Sequence, residues 1–259
     1  MKLGCTCASF GRAFAAGTMD QMKFLEACAG ELRVAGAELQ DIHFPRTSLA
    51  YLRDLKTCAD SLGLQIIGIG VHNDFGRREA NFRQAEVVKV KHWIEVAQAL
   101  GAPLVRIFAG RPEGPAAERW ADMIAALREA ATFAAEARLT LGLENHNGAS
   151  FAPTADGILR ILEEVRAPAL QHLLDTGNYA DGWPSIAKTA SLAVHVHAKF
   201  WHVAADGSEP DIDYPRVLGL LRAHGYRGWL SFEYEADEPE ATGLPRALAY
   251  LRRALGEKE

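Results

Sequence analysis

The sequence predicts an α/β protein, a single closed (β/α)8 barrel occupying residues 1–259 as one domain. Three observations carry that expectation. Short β-branched runs alternate eight times with longer stretches of helical period. The units average about 32 residues, the spacing of a (β/α)8 barrel, and no break in composition divides them.

In order along the chain, "KLGCTCASF" is a strand and "MDQMKFLEACAGEL" a helix whose apolar residues recur at helical steps. "GAELQDIHF" leads to "SLAYLRDLKTCADSLG", closed by Gly63, and "LQIIGIGVH" to "EANFRQAEVVKVKHWIEVAQALG", closed by Gly101. "APLVRIFAG" precedes "AAERWADMIAALREAATFAAEAR". "LTLGLENH" precedes "TADGILRILEEVR", where Thr154 is placed to cap the helix N-terminus. "ALQHLLDTGN" goes with the shorter "PSIAKTA", "LAVHVHAKF" with "DYPRVLGLLRAHG", and "GWLSFEYE" with "LPRALAYLRRALG". An open doubly wound sheet is the competing architecture. However, "SFGRAFAAG" after the first strand lacks the G-x-G-x-x-G turn with which such a sheet holds a dinucleotide.

With 49% hydrophobic residues and a formal net charge of −5, the 259 residues have the composition of a soluble globular enzyme. The acidic balance disfavours nucleic-acid partners, and no apolar run reaches the roughly 18 residues of a membrane span. Arg12 interrupts the small-residue stretch at the N-terminus, so no secretory leader is expected. Cys5, Cys7, Cys28 and Cys58 show neither zinc nor disulfide spacing. They read as buried, reduced thiols of a cytoplasmic protein, the first two on the first strand.

A barrel gathers its chemistry at the C-terminal ends of its strands. Strands five to eight end in polar residues: Glu144, Asn145, His146 and Asn147 in "LGLENHNG", Asp175 and Asn178 in "LLDTGNYA", His195, His197 and Lys199 in "VHVHAKF", and Glu233 and Glu235 in "WLSFEYEAD". In "VHVHAKF" the polar residues alternate with Val194, Val196, Ala198 and Phe200, which gives the strand one polar and one apolar face. On a surface strand the polar face would meet solvent. In the seventh strand of a barrel it faces the interior. Glu144, Asp175, one of the histidines and a glutamate of strand eight then converge, and three carboxylates in a small, partly dry volume require a cation. Three oxygen donors and one imidazole suit one divalent metal ion, Mn²⁺ first, with Co²⁺, Mg²⁺ and Zn²⁺ as alternatives. With no thiolate in the set, a closed structural zinc site is disfavoured.

"LENHNG", "LLDTGN", "HVHAKF" and "LSFEYE", in this order and spacing, resemble the xylose isomerase-like TIM barrels. Within that group the chain is most similar to the sugar phosphate isomerases/epimerases, which include the ketose 3-epimerases, over essentially its whole length. The resemblance implies metal ligands at Glu144, Asp175, His197 and Glu233. His197 is taken over His195 because the second histidine of the H-x-H pair binds metal in the epimerases. Glu233 is taken over Glu235 because it directly follows the run from Gly228 to Phe232. Glu144 and Glu233 are also the implied catalytic pair that moves a proton on and off the sugar. Asn178 stands where many relatives carry a substrate-contacting histidine. Endonuclease IV, in the same superfamily, uses that histidine as a zinc ligand, so Asn178 and the net charge weigh against a DNA-repair activity.

His72 follows a run of glycines at the end of strand three and is read as a substrate contact, while Arg106 in strand four either reaches substrate or pairs with a barrel carboxylate. His146, Asn178, Lys199, Trp201 and Glu235 complete the candidate substrate-binding set. Glu38, Gln40 and His43 are assigned structural hydrogen bonds, and His195 a supporting or packing role. The long connection from Trp201 to Pro215 has the length of a lid, in which Trp201 and His202 either close over a sugar or pack the lid down. The expected activity is isomerisation or epimerisation of a ketose or keto-polyol by proton transfer through an enediolate. A dehydratase acting on a keto-inositol or keto-sugar and a non-catalytic binding protein are the rivals. The expected partner is a small sugar or polyol, and a homo-oligomer is compatible with the sequence.

Overall fold

The computed structural model describes residues 1–257. Eight parallel strands close on themselves in chain order, as the alternation predicts. They are β1 (Lys2–Thr6), β2 (Gly36–Gln40), β3 (Gln65–Gly70), β4 (Leu104–Phe108), β5 (Thr140–Glu144), β6 (Leu170–Asp175), β7 (Ala193–Phe200) and β8 (Trp229–Tyr234). Around them run α2 (Gln21–Ala29), α3 (Leu49–Ser61), α4 (Ala80–Leu100), α5 (Ala116–Glu136), α6 (Ala155–Val165), α7 (Trp183–Thr189), α8 (Tyr214–Ala223) and α9 (Glu240–Leu255). A short α1 (Gly11–Ala15) precedes them in the first loop. Among the described residues no helix is long and apolar enough to cross a membrane.

The strands are buried on both faces, against the helices outside and against one another inside, which is why they read as nearly continuous apolar runs. Outside, Val196, Ala198 and Phe200 of β7 are fully buried, and Phe200 stacks on Tyr214 of α8 at 5.0 Å. Inside, His195, His197 and Lys199 of the same strand are also buried, so the alternation separates polarity rather than exposure.

Local chemistry sets the helix ends. Asp20 caps α2 by accepting from Lys23 N at 2.9 Å, and Asp213 caps α8 through Arg216 N at 3.0 Å. Gly101 closes α4 in the left-handed region at φ 73°, as expected from its place after the helical run. Two expectations need correction. Thr154 occupies the N-cap position of α6, but its side chain makes no capping bond; Ser185 Oγ takes the Ala155 N–H instead, at 2.7 Å. Cys7 lies in a 3-10 turn beyond β1, where the chain bends away from the barrel, and only Cys5 is on the strand.

The register of the last four strands carries Asp175 beside His197 and Lys199 beside Glu233. Gly177, just beyond β6, is required by packing: a Cβ there would lie 2.5 Å from Lys199 Cγ and 2.8 Å from Trp201 Nε1.

Candidate metal centre

Ligand atoms of Glu144, Asp175, His197 and Glu233 all lie within 4.8 Å of one another, at the ends or in the interior of β5, β6, β7 and β8. All four residues are buried. His197 Nδ1 is 3.1 Å from Glu233 Oε2 and 3.6 Å from Glu144 Oε1, yet it makes no well-aligned hydrogen bond. Glu233 Oε2 and Glu144 Oε2 each have a cation at 3.0 Å, Lys199 and Arg106, but a buried imidazole nitrogen normally finds a hydrogen-bond partner, so an unbonded Nδ1 facing two carboxylates marks a place for an electron-pair acceptor. Charge gives the same answer. With all four carboxylates ionised and His197 neutral, as ligation requires, Glu38, Glu144, Asp175 and Glu233 face two buried cations, Arg106 and Lys199, an excess of two negative charges. Oxygen and imidazole donors with that excess fit one divalent cation.

Beneath the quartet, Glu38 of β2 holds His197 in place. Both Glu38 oxygens lie 3.0 Å from His197 Nε2, and Glu38 Oε2 also meets His195 Nε2 at 3.1 Å and Ser231 Oγ at 2.8 Å. Engaging Nε2 leaves Nδ1 free to act as a ligand, the arrangement in which an outer carboxylate orients a metal-binding histidine. Burial opposes ionisation of Glu38, but the facing His197 and His195 outweigh it and hold its carboxyl well below the usual range. Asn145 bridges two ligand-bearing strands: its Nδ2 donates to Asp175 O, and its Oδ1 accepts from Asp175 N, each at 2.9 Å.

The ligands differ electrostatically. Burial raises Glu144, but the Arg106 guanidinium and then His197 overcome it and bring the carboxyl to about 2. Glu233 likewise lies well below its ordinary value because Lys199 and His197 outweigh burial. Asp175 goes the other way, since burial raises it further than Lys199 can lower it. In the metal-free chain, burial disfavours the His197 imidazolium, but Glu38, Glu233 and Glu144 overcome this and raise its pKa.

Of the two roles open to Arg106, the structure shows the carboxylate pair. Its Nε is 3.0 Å from Glu144 Oε2, Nη1 donates to Val71 O at 3.1 Å, and the guanidinium lies 4.2 Å from the Phe108 ring centroid. Asn178 Nδ2 donates to Asp175 Oδ2 at 2.9 Å and to Glu144 Oε1 at 3.3 Å, linking two members of the quartet. Lys199 Nζ lies 3.0 Å from Glu233 Oε2, 3.3 Å from Asp175 Oδ2 and 4.7 Å from the Trp201 ring centroid, and it pairs with Glu235. Attraction to these carboxylates outweighs burial and keeps the ammonium charged. Glu235 is half-exposed at the mouth.

His72 and His146 line a cavity of about 210 Å³ that ends at Glu144, with Phe108 between them. The sequence reading did not single out Asp41, which fixes His72 from two sides: Oδ2 accepts from His72 N at 3.0 Å, and Oδ1 meets Nδ1 at 2.7 Å. Its signal was an aspartate directly after β2, at the barrel mouth. The segment after β7 is packed down. Glu209 accepts from His202 N at 2.7 Å and Asp211 N at 3.1 Å, and Arg246 of α9 donates to Ala204 O at 3.2 Å. Trp201 Nε1 donates to Gly177 O at 3.1 Å, and the His202 side chain is 60% exposed.

A family model described as xylose isomerase-like TIM barrel matches residues 25–254. The chain belongs to that family. Over 68% of its length it is 28% identical to a Homo sapiens protein named "Putative hydroxypyruvate isomerase", covering 68% of that protein. A match at 49% identity to the C-glycoside deglycosidase alpha subunit of Arthrobacter globiformis spans 24% of the chain and only 20% of that subunit. The solved structure of 3-keto-D-glucoside 4-epimerase from E. coli has a TM-score of 0.79 at 17% identity, covering 98% of this chain and 99% of that one. D-psicose 3-epimerase from Clostridium cellulolyticum H10 has a TM-score of 0.77 at 17% identity, covering 99% and 97%. At these identities the structural likenesses show the shared fold.

Proposed function

We propose that the protein is a divalent-metal-dependent isomerase or epimerase of a ketose or keto-sugar, with Glu144, Asp175, His197 and Glu233 as metal ligands. The observation that carries this reading is the quartet itself: four buried side chains, three carboxylates and an imidazole, whose ligand atoms lie within 4.8 Å of one another. Relatives and structural neighbours named as isomerases and epimerases support it.

A divalent cation held there would supply Lewis acidity, polarising a substrate carbonyl and acidifying the C–H beside it. The chain's own groups do the rest. Glu144 and Glu233 are ionised at neutral pH, so either carboxylate can accept that proton. Return to the opposite face of the same carbon of a proton that the other carboxylate has first taken from water gives epimerisation, and return to the neighbouring carbon gives aldose–ketose isomerisation. Lys199 keeps its positive charge beside Glu233, where it stabilises negative charge developing on substrate oxygen. Arg106 keeps Glu144 ionised in a dry site. His72, His146, Asn178, Trp201 and Glu235 are the proposed substrate contacts around them.

A lyase reading has one observation in its favour. His72, held through Nδ1 by Asp41, lines the cavity where a departing hydroxyl would lie. The test is metal analysis of the purified protein followed by a panel of keto-sugars, with and without chelator. About one bound divalent ion per chain and chelator-sensitive interconversion of isomers are expected. Product lighter by one water selects the lyase, and full activity after complete metal removal overturns the metal-dependent reading.

A further inference from the structure

Two cavities open at the C-terminal mouth of the barrel and meet at His72. The first, about 210 Å³, lies over the ends of β3, β4 and β5 and reaches the quartet at Glu144. The second, about 480 Å³, lies over the ends of β8, β1, β2 and β3 and is lined by Ala8, Phe14, Gln40, Ile42, His43 and Glu235 among others. Glu235 pairs with Lys199, whose ammonium is 3.0 Å from Glu233. The second cavity therefore approaches the quartet from the β8 side, as the first does from the β5 side.

Their linings differ in chemistry. In the second cavity the Phe14 and His43 rings are stacked, 3.8 Å apart and 11° from parallel, making a flat shelf at the mouth. Beside it Ile42 is 60% exposed, a large aliphatic side chain left in water. Among the described residues no lysine or arginine lines this cavity, its carboxylate Glu235 is engaged by Lys199, and its His72 is engaged by Asp41. A wall without a cation offers nothing to a phosphate, whereas a flat apolar shelf favours an uncharged ring face. The two cavities also exceed the needs of one monosaccharide, since pockets of roughly 300–1,000 Å³ hold drug-sized molecules.

We infer that the second cavity is an aglycone subsite, so that the substrate is a glycoside. Its sugar ring sits at the quartet, and its uncharged aglycone lies on the Phe14–His43 shelf against Ile42. His72, on the wall of both cavities, marks the join between the two parts. Because the anomeric carbon of a glycoside is blocked, the carbonyl acted on is a ketone on the ring. This inference rests on the isomerase/epimerase reading and narrows its substrate class.

The test follows solvent-deuterium exchange by the metal-loaded full chain into p-nitrophenyl 3-keto-glucoside and into free 3-keto-glucose. The expected kcat/KM is at least about tenfold higher for the aryl glycoside, the scale of discrimination a few apolar contacts provide. Ile42→Ser and Phe14→Ala should each cut that ratio about fivefold. Ile42 is exposed, so its substitution remains informative if Phe14→Ala fails to fold. Exchange into both compounds at equal kcat/KM, unaltered by either variant, overturns the subsite alone. No exchange into either overturns the isomerase/epimerase reading and the subsite with it. A wild-type dimer that Ile42→Ser converts to monomer with the ratio unchanged shows that a second copy of the chain covers the shelf, and also overturns the subsite.

Discussion

Replacing Glu38 with glutamine preserves the size of the side chain but removes its charge and one of its two acceptor oxygens. In the native chain those oxygens serve two imidazoles and a hydroxyl, at 2.8–3.1 Å. The single carbonyl of glutamine cannot serve all three, and leaving a buried donor unpaired costs about 1–3 kcal/mol. The effect on His197 is more specific. A carboxylate can only accept from Nε2, which keeps Nδ1 as the lone-pair atom facing Glu233 and Glu144. A glutamine amide can donate to Nε2, and the proton then moves to Nδ1 and blocks the ligand position. Changes of this kind in the outer shell typically weaken metal binding roughly 10–100-fold. Titration calorimetry of Mn²⁺ into chelator-treated Glu38→Gln reads the affinity, and urea unfolding of the same sample reads the stability. A loss of stability with Mn²⁺ affinity within twofold of wild type would refute the orienting role and leave Glu38 a packing residue.

Three further outcomes follow from the same geometry. Arg106→Met leaves the buried Glu144 carboxylate without its guanidinium, and breaking such a pair should cost the metal-free protein about 3–5 kcal/mol in chemical denaturation. His172 is fully buried, with Nδ1 facing Leu143 O and Nε2 facing Tyr179 Oη, and burial lowers its pKa to about 4. Between about pH 6.5 and 4 the unfolded imidazole binds a proton that the folded one does not. Stability therefore falls as pH drops through that window, by up to about 3 kcal/mol from this group, and a His172→Gln variant should lose that part of the slope in pH-dependent unfolding. Chelator treatment should lower the melting temperature, because an ion present at 100 times its Kd stabilises the folded state by about 2.7 kcal/mol; a melt indifferent to EDTA and Mn²⁺ would contradict a metal at the quartet.

What the sequence disclosed depended on whether a feature was local to one strand or created by closing the barrel. The eight βα units and the alternation in β7 are local. The inward direction of His195, His197 and Lys199 followed from periodicity once β7 was recognised as an interior strand. The convergence of Glu144 and Asp175 with a β7 histidine and a β8 glutamate was also accessible, because successive neighbouring strands bring them to one place; the choice of His197 and Glu233 came from the family resemblance. Contacts made across the barrel were not. Glu38 was assigned a structural hydrogen bond, but its partner His197 is 159 residues away on β7, and only the stagger of the closed sheet sets which interior side chains share a layer. The sequence leaves Arg106 open between substrate and carboxylate for the same reason: register places Gly142 beside it, and the side chain reaches along the strand to Glu144. The segment after β7 looked like a lid by length alone. What ties it down, Glu209 on its own backbone and Arg246 from α9, is tertiary and left no mark in the segment's composition. Asp41 was missed because a lone aspartate after a strand has no periodicity to distinguish it.

In the proposed reaction Glu144 and Glu233 exchange a carbon-bound proton of a keto-sugar at the quartet. Mass spectrometry of product formed in D₂O by the Mn²⁺-loaded protein tests it most directly, with Glu144→Gln and Glu233→Gln run beside the wild type. The wild-type product should carry one solvent deuterium at the reacting carbon, and exchange should be abolished in both variants. Turnover with no solvent deuterium in the product, the signature of a hydride shift, would contradict this reaction, as would full exchange in either variant.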